Sequence, residues 1–257
     1  MDPNASSQRF DKIASNFATS EVHTMSPTIK RPHEVLGGGK FGSICDVACG
    51  AGHLALSFAG RAGRIVGVDP APNMLEALRR LATQRGVVVE IVESPSESLP
   101  FPDNTFDAVV SRLAPHHFSD IRRSVSEMTR VAKLGGVVAV IDLEGDPDPG
   151  IDDFNHALEV LHDPTHFRSH TAEAWRSFFE GAGLTVETLE RQLSERPSGV
   201  TVKRWCEIAS SGEAAEREIR RRLQDAPASY LAALGIRQID GEFLMPIRTA
   251  LIIGRKQ

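Results

Sequence analysis

The chain has 257 residues and a formal net charge of −5, long enough to bury a sizeable core in one domain with an elaboration. That mild acidity leaves no broad basic footprint for nucleic acid, and no apolar run approaches the ~18–20 residues that span a bilayer. The first residues are polar, without the charged-then-apolar plan of a signal peptide. With Cys45, Cys49 and Cys206 in no metal-ligand spacing, a reduced, cytoplasmic setting is expected.

In chain order, Phe10, Ile13, Ala14 and Phe17 recur at i, i+3, i+4 and i+7 and predict an N-terminal helix that must pack on something. Gly42 to Val47 reads as a short buried strand, Gly50 to Gly52 as a turn free of bulky side chains, and His53 to Phe58 as a helix start. A second strand, Gly63 to Val68, ends in Asp69. Strands are expected at 43–47, 64–69, 87–92, 107–112 and 136–142, with helices at 53–60, 73–85 and 119–132. In the second helix Asn73 is the cap, and Met74, Leu75, Leu78 and Leu81 repeat at helical spacing. This alternation predicts a parallel, doubly wound sheet. A return segment follows, with a helix at 171–182 and strands at Leu184–Leu189 and Arg248–Ile253. Residues 195–245, between those strands, carry helical patterns at about 201–210 and 213–234, including Trp205, Leu223, Tyr230 and Leu231. The basic run Arg217 to Arg222 alternates with acids and predicts a solvated helix face.

The strand, glycine turn and helix at 42–58 suit a nucleotide. Glycines let a ligand approach the backbone, and Asp69 is placed to accept from a ribose diol. A dinucleotide fingerprint would need a third small residue, which Ala55 satisfies. Asp46 argues otherwise, because a carboxylate there would repel a pyrophosphate and suits a cationic amino group. The pattern D-x-x-x-G-x-G with an acidic second strand end resembles motif I of the class I S-adenosylmethionine (SAM)-dependent methyltransferases. Glu97-Ser-Leu-Pro-Phe-Pro-Asp-Asn-Thr-Phe-Asp-Ala-Val-Val110 is similar to the E-x-L-P-F-P-D-x-S-F-D-x-V segment of the ubiquinone/menaquinone-biosynthesis type (the methyltransferase type 11 domain). Lys133-Leu-Gly-Gly-Val-Val-Ala-Val-Ile141 is similar to its L-K-P-G-G strand, with Leu134 where proline usually stands. The resemblance covers about residues 40 to 145. One departure is Pro95-Ser96-Glu97, where the family often has an Asp before the adenine-contacting pair.

The resemblance implies an α/β, Rossmann-like doubly wound sheet, mostly parallel, whose last strand inserts antiparallel between its neighbours. Residues 41–194 would form the SAM-binding core and 246–257 its final strand. The arm 1–40 and the insert 195–245 read as helical lid elements over a methyl-acceptor pocket. The cofactor would be SAM, giving S-adenosylhomocysteine, with binding at Asp46, Ala48, Gly50, Gly52, Asp69, Pro70, Met74, Ser96, Glu97 and Arg112. Asp69 would take the ribose hydroxyls, and the Ser96 or Glu97 backbone the adenine. Arg112 would offer its carbonyl to the SAM amino group or its side chain to the acceptor.

Ligands of open α/β sheets bind at the carboxyl ends of strands, which places His116 and His117 near the reacting methyl. An oxygen or nitrogen acceptor must lose a proton, and histidine suits that task. The segment Asp163-Pro-Thr-His-Phe-Arg168 resembles a D-P-(S/T)-H-x-R element on the acceptor side of the family's cleft, adding Asp163, His166 and Arg168 as candidates. His23 is a further contributor or a surface histidine. The histidine spacing matches no zinc motif, and no metal is expected. Nothing resembles a P-loop or a nucleophile elbow. The expected partner is a small quinone-like, phenolic or heterocyclic acceptor, with no nucleic acid or membrane, and the protein a monomer or homodimer. Alternatives are a SAM-fold protein that binds without transferring methyl, and an NAD-dependent oxidoreductase.

Overall fold

The computed structural model describes residues 5–257. Its strands in chain order are β1 (Phe41–Val47), β2 (Ala62–Asp69), β3 (Glu90–Glu93), β4 (Phe106–Arg112), β5 (Ala132–Leu143), β6 (Leu184–Ser194), β7 (Val200–Thr201), β8 (Arg237–Ile239), β9 (Glu242–Met245) and β10 (Arg248–Lys256). The helices are α1 (Ala5–Thr19), α2 (Glu21–Thr24), α3 (Arg31–Val35), α4 (His53–Ser57), α5 (Pro72–Arg85), α6 (Ile121–Val131), α7 (Pro149–His162), α8 (Ala172–Gly181), α9 (Val202–Ala209), α10 (Glu213–Asp225) and α11 (Ala228–Leu234). Seven strands make one sheet in the order β3-β2-β1-β4-β5-β10-β6, and β7-β9-β8 make a small second one.

β1 lies between β2 and β4 and is parallel to both, with Ile44 opposite Ile65 on one side and Ala108 on the other. A strand flanked and covered in this way must be apolar on both faces, and Ser43 to Val47 are all buried. Asp46 breaks that rule, so it marks the site. β10 is antiparallel to both β5 and β6, the arrangement expected of a Rossmann-like sheet whose last strand inserts late. α5 starts with Pro72 in its first turn and ends at Gly86 in the left-handed conformation, and buries Met74, Leu75 and Leu78.

Several elements differ from expectation. The third strand begins at Glu90, so residues 87–89 lie outside it. Helix α7 was not anticipated, although Asp148 caps it through Gly150 and Ile151 and Pro149 opens it. The pattern at 213–234 divides into α10 and α11 around Pro227, because proline lacks the N–H that a continuous helix needs. The arginines of α10 pair with acids: Arg217 with Glu213, Arg220 with Glu216 and Glu242, Arg221 with Glu218 and Asp225, and Arg222 with Glu218.

A second core joins the arm to the insert. Val22 of the arm, Leu158 of α7 and Trp205, Ile208, Ile219, Leu223, Phe243 and Met245 of the insert are buried in one cluster. Arg204 reaches Glu21 at 2.7 Å, and the Asn16 amide donates to the Ile208 carbonyl at 3.3 Å. Nonpolar burial of this kind contributes roughly 25 cal/mol per Å², so arm and insert hold each other beside the sheet's carboxyl edge.

Candidate functional site

The carboxyl ends of β1, β2 and β4 enclose a cavity of about 160 Å³, closed from the far side by Ser6, Phe10 and Phe17 of α1. Asp46 lines it at 1% exposure, with Oδ2 accepting from the Ala55 N–H at 2.8 Å. Burial, against that hydrogen bond, pushes its carboxyl up to about 8. Asp69 accepts from the Gly50 N–H at 2.8 Å and the Ala71 N–H at 2.9 Å, and burial lifts it to about 6. Ala48, Pro70 and Met74 complete this wall with Gly50.

Two strained backbone positions fall here. Ala48 and Leu113 both sit at positive φ, 53° and 52°, and both line the cavity. Left-handed non-glycine residues are costly and persist where surrounding structure imposes them. Gly50 lines the cavity at φ 51° with room for a Cβ against Met74. Gly52 does not line it. A Cβ at Gly52 would lie 2.1 Å from Leu78 Cδ1, so the need for glycine there comes from packing on α5 rather than from a ligand.

Two other expected residues are present but differently employed. Ser96 and Glu97 line the opposite wall. The Glu97 carboxylate accepts from Ser119 Oγ at 2.8 Å and from Ser96 Oγ at 2.9 Å, which braces the loop against the start of α6. Arg112 lines the cavity, yet its guanidinium is committed elsewhere. It donates to Glu195 at 2.6 Å, to Thr28 Oγ1 at 3.0 Å and to the Val22 carbonyl at 3.2 Å. The Arg112 side chain therefore does not reach an acceptor; it pins the arm and the insert to the end of β4.

A second chamber of about 70 Å³ lies behind the first, and the two share Phe10, Phe17, His23, Leu113 and His117 as a common wall. His116, His166 and Asp163 line only the second. His116 Nδ1 lies 2.6 Å from Asp142 Oδ1. Burial opposes the His116 charge, but the Asp142, Glu159 and Asp163 carboxylates outweigh it and raise its pKa. His117 is held below the ordinary range by burial and by His116, with Nδ1 on the Thr165 carbonyl at 3.0 Å. Burial depresses His166 as well. Asp163 is paired with Arg9 at 3.0 Å. Arg168 lines neither chamber; its partly exposed guanidinium holds the buried Asp152. It is therefore removed from the candidates by its position.

Sequence reasoning missed Asp142, Glu159, His53 and His162. Glu159 projects from α7 into the chamber, and desolvation pushes its carboxyl up to about 7. His162 stacks on Trp205 with centroids 4.0 Å apart, and burial lowers it to about 3. His53 lines the first cavity with Nε2 3.2 Å from the Phe17 carbonyl. The signal for Glu159 was available: Asp148-Pro149 is a cap followed by a first-turn proline. Among the described residues no group of three or more His, Cys, Asp or Glu is arranged to hold a metal ion, and no helix is long and apolar enough to cross a membrane.

Residues 45–140 match the methyltransferase domain family. The chain is similar to the methyltransferase YcgJ of Bacillus subtilis, 36% identical over 149 residues, which are 58% of this chain and 59% of that protein. It is also similar to the demethylmenaquinone methyltransferase of Thermus thermophilus, 40% identical over 106 residues, 40% of this chain and 48% of that protein. The matches thus span about half to three fifths of those relatives. The crystal structure of YcgJ superposes with a TM-score of 0.81 at 28% identity, covering 90% of this chain and 98% of that one. Residues 45–140 are thus similar to a methyltransferase domain, and the chain shares that stretch with these relatives.

Proposed function

We propose that the protein transfers a methyl group from SAM to a small organic acceptor, quinone-like, phenolic or heterocyclic, seated in the second chamber. The observation that carries this reading is the pair of chambers that meet at Leu113 and His117, at the end of β4. Two reactants held in adjoining chambers meet at one point, and such positioning is worth up to ~7–11 kcal/mol of a barrier.

The first chamber suits SAM on its own chemistry. Asp46 is a buried carboxyl group with one hydrogen bond and no ion pair of its own, and a SAM ammonium group would supply the missing cation. Asp69 retains lone pairs for ribose hydroxyls, and Met74, Pro70 and the Ser96–Glu97 backbone offer a surface for adenine. When bound, SAM supplies an electrophilic methyl on a sulfonium. The chain's own contribution is to orient both reactants and exclude water. We read the arm and the insert as the cover that does so, since α1 contributes Phe10 and Phe17 to both chambers. Of the candidate bases, His117 and His166 are neutral and weakly basic where they sit, and Asp163 is engaged by Arg9. His116 is left.

Asp69→Ala is expected to weaken SAM binding by about 1–3 kcal/mol, because ribose hydroxyls lose their buried partner. Calorimetry giving equal affinity in both proteins would remove Asp69 from the ribose site. Formation of S-adenosylhomocysteine with an acceptor panel tests transfer itself.

A pH effect follows from Asp46. In the free protein it holds its proton up to about pH 8, whereas a cation beside it favours the carboxylate. Binding at pH 7 is then expected to release a proton, and affinity should rise as pH rises toward 8. Titrations in two buffers of different ionisation enthalpy measure this release. Zero net proton exchange would place the ammonium away from Asp46.

A further inference from the structure

We infer that Asp142 and His116 act as a base pair for a neutral, planar hydroxy compound, and that this hydroxyl is the group methylated. The inference rests on the methyl-transfer reading and narrows it to oxygen attack on an uncharged acceptor.

The geometry begins at the end of β5. Asp142 is fully buried, with Oδ1 2.6 Å from His116 Nδ1 and Oδ2 without a partner. A carboxylate only accepts, so the His116 proton sits on Nδ1 and the lone pair on Nε2. Among the described residues the His116 side chain is bonded through Nδ1 alone, so Nε2 is the ring nitrogen left to take a proton, on a residue that lines the chamber. A buried carboxylate short of partners gains most when its neighbour becomes cationic. Proton uptake at Nε2 supplies that charge. Asp142 is thus a positioning residue: it fixes the tautomer and steadies the imidazolium, and it does not touch the acceptor.

The walls define the acceptor. Trp205, Phe10, Phe17 and Ile247 give flat apolar surfaces, while Glu159 and Asp163 are the acidic groups and no Lys or Arg lines the chamber. A carboxylate or phosphate acceptor would meet Glu159 and Asp163 with no Lys or Arg on the wall to receive it, Arg9 being engaged by Asp163. No hydrogen bond from the described residues acts on the Glu159 carboxyl, which leaves it to recognise a second polar group on the ring. Three carboxylates favour the His116 charge: Asp142 from β5, Glu159 from α7 and Asp163 from the loop after it. The histidines around it are His117 and His166, whose ring centroids lie 4.1 and 5.3 Å away, and at longer range His23, His162 and His170. All five are held below the ordinary histidine range, so they stay uncharged near neutrality.

In the step itself the acceptor O–H proton passes to His116 Nε2, and the oxygen lone pair forms the new C–O bond to the methyl carbon. The S–CH3 bond breaks with its electron pair remaining on sulfur, which becomes a neutral thioether. The His116 imidazolium then returns its proton to solvent.

The experiment uses the full-length protein with SAM and a panel of naphthols and phenols, aryl amines and aryl carboxylates, reading S-adenosylhomocysteine. Transfer to the neutral hydroxy compounds is expected. The acid limb of kcat should lie above ~6.5, the ordinary histidine value, because His116 must be unprotonated and its neighbours hold the proton on. His116→Gln should lower kcat by about 10²–10⁴-fold with SAM affinity unchanged, and the loss should shrink for phenols already ionised in solution. Asp142→Asn should lower kcat roughly tenfold or more and move the acid limb downward. NMR titration of His116 in the SAM-free protein should show the same downward move, which a merely structural role for Asp142 paired with a different base would not transmit to kcat. If either variant fails to fold, the wild-type limb and its dependence on phenol acidity decide the matter. Transfer to amines or carboxylates alone, or a His116→Gln enzyme of normal rate, overturns this inference and leaves methyl transfer standing. SAM binding with no product from any class overturns both.

Discussion

Replacing Glu195 with alanine is expected to destabilise the fold by about 3–5 kcal/mol, the usual effect of stripping one partner from a buried ion pair. Glu195 is fully buried and faces Arg112, itself 9% exposed, at 2.6 Å. It also accepts from Thr28 at 2.8 Å, from Thr249 at 3.2 Å and from Ser26. Without it Arg112 keeps its charge in a desolvated place, and three hydroxyls lose an acceptor. The loss extends to function, because these groups come from the arm, from β4, from the edge of the insert and from β10. Arg112 walls the first chamber, so SAM affinity should fall with stability. Removing both charges together, as Glu195→Leu with Arg112→Met, should recover much of the loss, since neither ion is then left unpaired. Urea unfolding measures each step as a shift in midpoint at constant slope. A Glu195→Ala protein within about 1 kcal/mol of wild type would show that Arg112 finds another partner, and the clamp would lose its claim.

That clamp also shows where sequence reading reached and where it stopped. The sheet was legible because buried parallel strands must be apolar on both faces, and Asp46 and Asp69 stood out against that background at strand ends. The glycine turn was legible for the same local reason. Arg112 was read toward the ligand because β4 delivers it to the cavity, but its partner Glu195 lies 83 positions away in sequence, beyond any local pattern. His116 was legible as a histidine at a strand end, whereas Asp142, 26 positions on, read as one more residue of a buried strand. Glu159 was missed for a different cause. The cap at Asp148, which makes Asp146-Pro-Asp-Pro-Gly150 a helix start, went unread. Arg168 was carried in by resemblance alone, and its pairing with Asp152 on α7 depends on the helix that was not foreseen. The lesson is physical: local periodicity and turn chemistry define elements, but side-chain commitments are set by contacts distant in sequence.

Gly52→Ala is expected to cost about 2–5 kcal/mol of stability, adding ~1–3 for overpacking to ~1–2 for left-handed backbone in a residue with a Cβ. Gly52 sits at φ 82°, and an added methyl would meet Leu78 Cδ1 at 2.1 Å and Cγ at 3.1 Å. Leu78 is fully buried on α5 among Leu56 and Ala82, so it has little freedom to withdraw. Gly50 offers the contrast that isolates the cause. Its φ of 51° is close to that of Ala48, and its nearest neighbour would be Met74 Sδ at 3.8 Å, an ordinary contact. Gly50→Ala should therefore cost only the ~1–2 kcal/mol of left-handed backbone and lose SAM affinity as well, since Gly50 lines the first chamber, where we place SAM, and Gly52 does not. The two neighbouring glycines thus separate by the size of the stability loss, larger at Gly52, and by calorimetric affinity, which should fall at Gly50. Shortening Leu78 to alanine in the Gly52→Ala background should relieve the clash while opening a cavity of its own, so the double mutant should lose less than the sum of the singles. Strictly additive losses would mean that Leu78 is not the obstacle. The glycine would then be required by backbone conformation alone.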